Sequence, residues 1–272
     1  MRLFRSNLRK LVRRPATWVT FLLLVGLLLL VFFAVVAATT QETDPAAALA
    51  ARLVVTFPQA YTFVLSMVLG IGGLLAVTYG GAVSGSEWSW GTLKAAVARG
   101  EGRARYVTLA CAAAMLFAVL GVVLAFVIGV ASAAVGALVL NVSLSGMSDA
   151  DALGGLPEQF GRAALAISMN TALGFAIATV ARSQLAGIGV AIGVYFAEGI
   201  AGIFLPEVIK WFPFSAASAV VAVGGDMAFG GGGGAAVGAS LDPDVAVLVV
   251  LAWLVAALGV SALVTERAEI GG

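Results

Sequence analysis

The sequence has no histidine, one cysteine, and charge on only 11% of its 272 residues. Without imidazole there is no Ser-His-Asp arrangement, no His metal ligand and no use of the commonest general base. The single thiol, Cys111, rules out an intramolecular disulfide and a cysteine-rich metal site; set in an apolar run, it reads as a small buried residue. Soluble domains carry charge on about a quarter of their residues. Here 61% of residues are hydrophobic and the mean hydropathy is +1.08, which leaves an integral membrane protein as the class. The net charge of +1 predicts no nucleic-acid partner, since basic residues must first be assigned to the two sides of a bilayer.

Six stretches approach the roughly 20 apolar residues that a spanning helix needs: 18–38, 60–83, 107–140, 163–181, 185–205 and 245–264. The first follows too basic an N-terminus and runs too long for a cleaved signal peptide, so it is expected to be retained. The third is long enough to tilt, or to break near Gly129 or Gly136. Residues 206–244 are too long for a tight loop and too apolar for a disordered one; they are expected to dip into the membrane from the outer side before a glycine hinge. The expectation is one all-α unit over 1–272 with six spans and these re-entrant outer helices.

Lys and Arg set the orientation. With the N-terminus inside, the cytoplasmic segments hold Arg2, Arg5, Arg9, Lys10, Arg13, Arg14, Lys94, Arg99, Arg103, Arg105, Arg182 and Arg267, and only Arg52, Arg162 and Lys210 lie outside. Both termini are then cytoplasmic. Arg outnumbers Lys twelve to three in an Ala- and Gly-rich chain, which points to a bacterial cytoplasmic membrane and makes the Asn141-Val142-Ser143 sequon a chance match. Residues 1–15 place Leu3, Phe4, Leu8, Leu11 and Val12 on one helical arc, with Arg2, Arg5, Arg9, Lys10, Arg13 and Arg14 on the other. That pattern describes an interfacial helix with its basic face on anionic lipid, ended by Pro15.

The most basic internal segment is "GSEWSWGTLKAAVARGEGRARY" in the joint at 84–106. Ser89 or Thr92 is placed to cap a short helix whose Leu93, Ala96 and Val97 share a face, and Gly100 to end it after Arg99. Trp88 and Trp90 suit the membrane–water boundary. Such a helix fits a groove on a soluble partner or lies on lipid.

Glu87, Gly91-Thr92-Leu93-Lys94, Arg99-Gly100, Arg103 and Tyr106 resemble the E-x-x-x-G-T-L-K and R-G-x-x-R pattern of ABC transporter permeases of the type-2 exporter class. The basic N-terminal helix, six spans and membrane-dipping outer segment extend the likeness over nearly the whole chain. The resemblance implies an elbow helix at 1–15. It also implies a coupling helix docking on an ATP-binding subunit through Glu87, Trp88, Trp90, Gly91, Thr92, Leu93, Lys94, Arg99 and Arg103. Many relatives carry a Lys early in the third span, where this chain has Leu109, Ala110 and Cys111. No G-x-x-x-x-G-K-[ST] loop occurs, and the glycines at 230–234 have no Lys behind them. This chain is therefore expected to bind no cofactor and to be no enzyme, with ATP and Mg held by two copies of a partner ATPase beneath a permease homodimer. The cargo expected from spans of Ala, Val, Leu and Gly is hydrophobic or amphipathic.

Glu198 is the one carboxylate well inside a span, where charge costs about 2.5–3.5 kcal/mol. It either caps outer helices or serves the transport path, and as a proton or cation site it would support the alternative of an ion-coupled secondary transporter. Against that alternative stands the lack of an internal repeat. An intramembrane enzyme has no nucleophile and base set to work with.

Overall fold

The computed structural model describes residues 2–41, 52–220 and 240–268, and every regular element among them is helical. Helix α1 (Arg2–Val12) turns through residues 13–14 into α2 (Pro15–Gln41). Helix α3 (Gln59–Ser89) leads through Trp90 and Gly91 into the short α4 (Thr92–Ala98). Then follow α5 (Arg103–Val139), a single 3₁₀ turn at Ser145–Ser148, α6 (Ala150–Ala181), α7 (Gln184–Phe204), the short α8 (Pro206–Ile209) and α9 (Pro213–Val220), and α10 (Pro243–Arg267). Six of these, α2, α3, α5, α6, α7 and α10, are long and apolar enough to cross a membrane.

Burial sorts the six into centre and rim. In the most apolar windows of α3 and α6, 67% of residues are buried, against 17% in α2 and α10. The central pair is close because glycines let backbone meet backbone. A Cβ on Gly80 would lie 2.0 Å from the Thr171 carbonyl oxygen, and one on Gly174 would lie 1.8 Å from that of Val77. The Ser84 and Thr179 hydroxyls, 2.8 Å apart, bond across the same seam. Helix α7 closes on it through Gly187, whose Cβ would strike Ala178. The rim helices turn Leu22, Leu30, Phe33, Val127, Leu138, Ile203, Leu248 and Val255 outward. Apolar faces this broad have no place in water and are matched to lipid hydrocarbon, so the architecture is that of a multi-pass membrane protein.

The two ends of the bundle differ in charge. The end that gathers α1, α4 and the joint between α6 and α7 carries twelve of the fifteen basic residues; Arg52, Arg162 and Lys210 lie at the other. At that other end Arg162 bridges Glu158 and Asp244, and Tyr61 donates to the Met147 carbonyl.

Several expectations are corrected. Of the two alternatives for the third span, breaking is excluded: α5 is continuous, and Gly129 and Gly136 are contact points, where a Cβ would press on Val64 and Leu28 and on Val36 and Val55, respectively. The fourth span starts at Ala150 rather than 163, because Asp149 caps it by accepting from the Asp151 and Ala152 N–H groups, and the helix runs on through Pro157. The second span continues past 83 to Ser89, so Glu87 and Trp88 stand on its last turns and not in a loop. Of the segment 206–244, α8, α9 and the start of α10 are seen; the glycine run at 230–234 lies outside the described residues.

Gly80→Ala should cost the upper part of the roughly 1–3 kcal/mol typical of overpacking, since a carbonyl cannot swing away as a side chain can. Gly189→Ala meets nothing within 4 Å and should be neutral or gain up to about 1 kcal/mol in helix propensity. Thermal unfolding of both variants in detergent, followed by tryptophan fluorescence, checks the contrast; equal stability would refute the close α3–α6 contact.

Candidate functional site

Glu87, on the last turn of α3, is only 3% exposed. A carboxylate so placed is strongly unfavourable unless both oxygens find donors and an opposite charge lies near. Both conditions are met. Oε1 accepts from Lys10 Nζ at 2.5 Å and from Arg14 Nη2 at 2.9 Å. Oε2 accepts from Tyr106 Oη at 2.7 Å and from Thr92 Oγ1 at 2.5 Å. Arg14 Nη1 donates to Ser86 Oγ at 2.6 Å, and Lys10 also reaches Tyr106 Oη at 3.1 Å. Burial pushes the Lys10 ammonium below its ordinary pKa; the attraction and hydrogen bond of Glu87 oppose this, and the neighbouring Arg14 adds to it. The donors come from α1, the α1–α2 joint, the first residue of α4 and the first turn of α5. One carboxylate on α3 therefore fixes all of these elements.

Helix α4 is made by its glycines and its two-sided composition. Gly91 precedes it at φ 65° and Gly100 follows it at φ 86°, left-handed conformations that cost other residues about 1–2 kcal/mol. Neither Ser89 nor Thr92 caps it: Gly91 is the N-cap, and the Thr92 hydroxyl turns back to Glu87. Leu93 and Ala96 are buried in a cluster with Leu11, Val83, Tyr106 and Val107, and Val97 packs at its margin. Facing out are Lys94, Ala95, Ala98 and Arg99, with Trp90 63% exposed beside them. Trp90 lies over the Arg14 guanidinium and Trp88 over that of Arg182, at 5.1 and 5.4 Å. The residues matched to the coupling pattern thus divide. Lys94, Arg99 and Trp90 form an outer surface; Glu87, Thr92 and Leu93 hold it from inside. Arg103 belongs elsewhere, donating to the Glu266 and Ala268 carbonyls at the end of α10.

The basic N-terminal helix is also corrected. Arg5, Arg9 and Arg13 are exposed, but Lys10 and Arg14 point inward, and Val12 is 46% exposed rather than on the apolar side. Of Arg2 only the helical backbone is described. Leu3, Phe4, Leu8 and Leu11 pack on the protein's own cluster, with Asn7 buried among them. No protein-family model and no curated protein matches this chain.

Glu198 on α7 is 4% exposed, and its Oε1 accepts from the Ser215 N–H at 2.5 Å in the first turn of α9. It caps α9 from a distance, favourably placed at a helix N-terminus. Its Oε2 is buried without a hydrogen-bond partner among the described residues. No group of three metal-ligating residues occurs among the described residues.

Sequence reasoning matched Tyr106 to the motif without making it a coupling residue, and assigned Lys10 and Arg14 to lipid. One signal was available: Leu3, Asn7, Lys10 and Arg14 follow the alternating four-three spacing of an inward helix face. Glu87→Gln should lower stability by about 3–5 kcal/mol, the cost of leaving buried cations unpaired. Lys10→Met added to it should recover part of that loss. A double-mutant cycle by denaturant unfolding in mixed micelles measures the coupling; additive effects would show that the pair does not interact.

Proposed function

We propose that the chain is the membrane-spanning permease subunit of an ATP-driven ABC exporter of the type-2 class, acting by alternating access on a hydrophobic or amphipathic solute. The observation that carries this is α4: a short helix at the basic end of the bundle, with one face buried, the other open, and its first residue bonded to the buried Glu87. Together with the motif resemblance, α4 takes the part of a coupling helix and α1 that of the elbow helix. The basic end faces the cytoplasm by the positive-inside rule, with both termini there. ATP and Mg belong to two copies of a partner ATPase that docks on Trp90, Lys94 and Arg99.

Force delivered to α4 has a defined route. Thr92 pulls on Glu87, and Glu87 is bonded at once to α1, the α1–α2 joint and α5. Movement of the ATPase subunits is thereby converted into movement of spans rather than deflection of a loop. A second copy of the permease completes the path. Gly189, Gly193 and Ala197 leave an exposed small-residue stripe on α7, of the kind that lets helices of two copies approach.

Lys94→Glu with Ala98→Asp alters only exposed positions and should change stability by less than about 0.5 kcal/mol. It should reduce co-purification of the ATPase from mild detergent at least tenfold. Transport by the purified chain with no ATPase would overturn the exporter reading.

One observation favours an ion-coupled transporter instead, namely the buried, half-satisfied carboxylate of Glu198. In the exporter, Glu198→Gln leaves transport in proteoliposomes insensitive to an imposed proton gradient, as in the parent. Abolition of a gradient-driven flux by that substitution would transfer the function to the alternative.

A further inference from the structure

Arg5 on α1 and Arg105 on the first turn of α5 line a single open depression, with Phe4, Ala104, Thr108 and Leu109. Four basic residues form ion pairs among the described residues: Lys10 and Arg14 share Glu87, Arg162 joins Glu158 and Asp244, and Lys210 pairs with Glu207. No ion pair among the described residues involves Arg5 or Arg105. The acid beside the depression, Glu266, has its Oε1 held by the Ala104 N–H at 3.1 Å. Both arginines border one hollow, so an anion seated there is within the field of two cationic side chains. Guanidinium also presents paired N–H donors that match phosphate oxygens.

The walls select the source of the phosphate. Phe4 and Leu109 are apolar, and Leu109 lies near the start of the apolar run of α5. The depression therefore straddles the boundary between the basic end and the apolar belt. A phospholipid places its phosphate at that boundary, with acyl chains free to lie along α5. A free phosphate would use the arginines and leave Phe4 and Leu109 idle. The Thr108 hydroxyl donates to the Ala104 carbonyl at 2.8 Å, and its oxygen still accepts, which suits a headgroup with hydroxyls of its own.

We propose that Arg5 and Arg105 hold the phosphate of one anionic phospholipid of the phosphatidylglycerol type, bridging α1 to α5 on the periphery of the bundle at its basic end. The site requires only that the six apolar helices span a membrane, and is independent of the exporter reading. Each cation near an anionic headgroup contributes about 1 kcal/mol, so the pair gives about a thirty-fold preference over a zwitterionic lipid. Native mass spectrometry of the full-length protein, titrated with phosphatidylglycerol or phosphatidylcholine, reads the affinity of the first bound lipid. The intact protein should prefer phosphatidylglycerol about thirty-fold. Arg5→Gln and Arg105→Gln should each remove about fivefold, and the double substitution all of it. Arg9→Gln with Arg267→Gln, an equal charge change elsewhere on the same end, should leave it intact. An unchanged preference in the double variant, or none in the intact protein, overturns the site; the latter result needs no variant to fold. Displacement of the lipid by inorganic phosphate at equal concentration would mean a free-anion site and would likewise overturn it.

Discussion

A single buried carboxylate organises the basic end of this protein. Glu87 cannot be left alone at 3% exposure, and the means of satisfying it determines what lies around it: two cations, a phenol and a threonine hydroxyl drawn from four separate places in the chain. Helix α1 is held against the bundle partly because Lys10 and Arg14 must reach this group. Helix α4, only seven residues long, could not persist as an isolated helix in water. Its existence depends on Leu93 and Ala96 entering the cluster around Leu11 and Tyr106, and on Thr92 being bonded to Glu87.

The membrane-embedded part follows another rule. With lipid as solvent, apolar side chains gain little by meeting each other, so close fit and small residues decide which helices are neighbours. Gly80 and Gly174 bring α3 and α6 into backbone contact, and the bond between Ser84 and Thr179 fixes their register. Because α3 also carries Glu87 at its end, the most tightly packed seam and the polar cluster share one rigid element. That continuity connects the surface of α4 to the bundle interior.

The spans were legible because a long apolar run is a one-dimensional signal, and five of the six starts lie within a few residues of expectation. The fourth did not, because "GGLPEQ" reads as a break while the Asp149 cap and packing carry α6 through Pro157. The site was legible as a segment but not as a geometry. That Glu87, Trp90, Thr92 and Lys94 stand together follows from their spacing; that Glu87 and Thr92 face inward while Trp90 and Lys94 face outward does not. Lys10 meets Glu87 across 77 positions of sequence, and a pairing at that distance leaves no local trace. Gly129 and Gly136 show the same limit, since a glycine that admits a neighbour and one that breaks a helix look alike until the neighbour is seen.

The most direct measurement is site-specific photo-crosslinking from Ala95, an exposed position on α4 outside the Glu87 cluster, in the protein's own membranes. A partner docked on this face should be captured as one discrete adduct with a chain that carries a phosphate-binding loop and hydrolyses ATP. Adducts with lipid alone, or only with another copy of the same chain, would contradict α4 as the place where an ATPase engages this membrane protein.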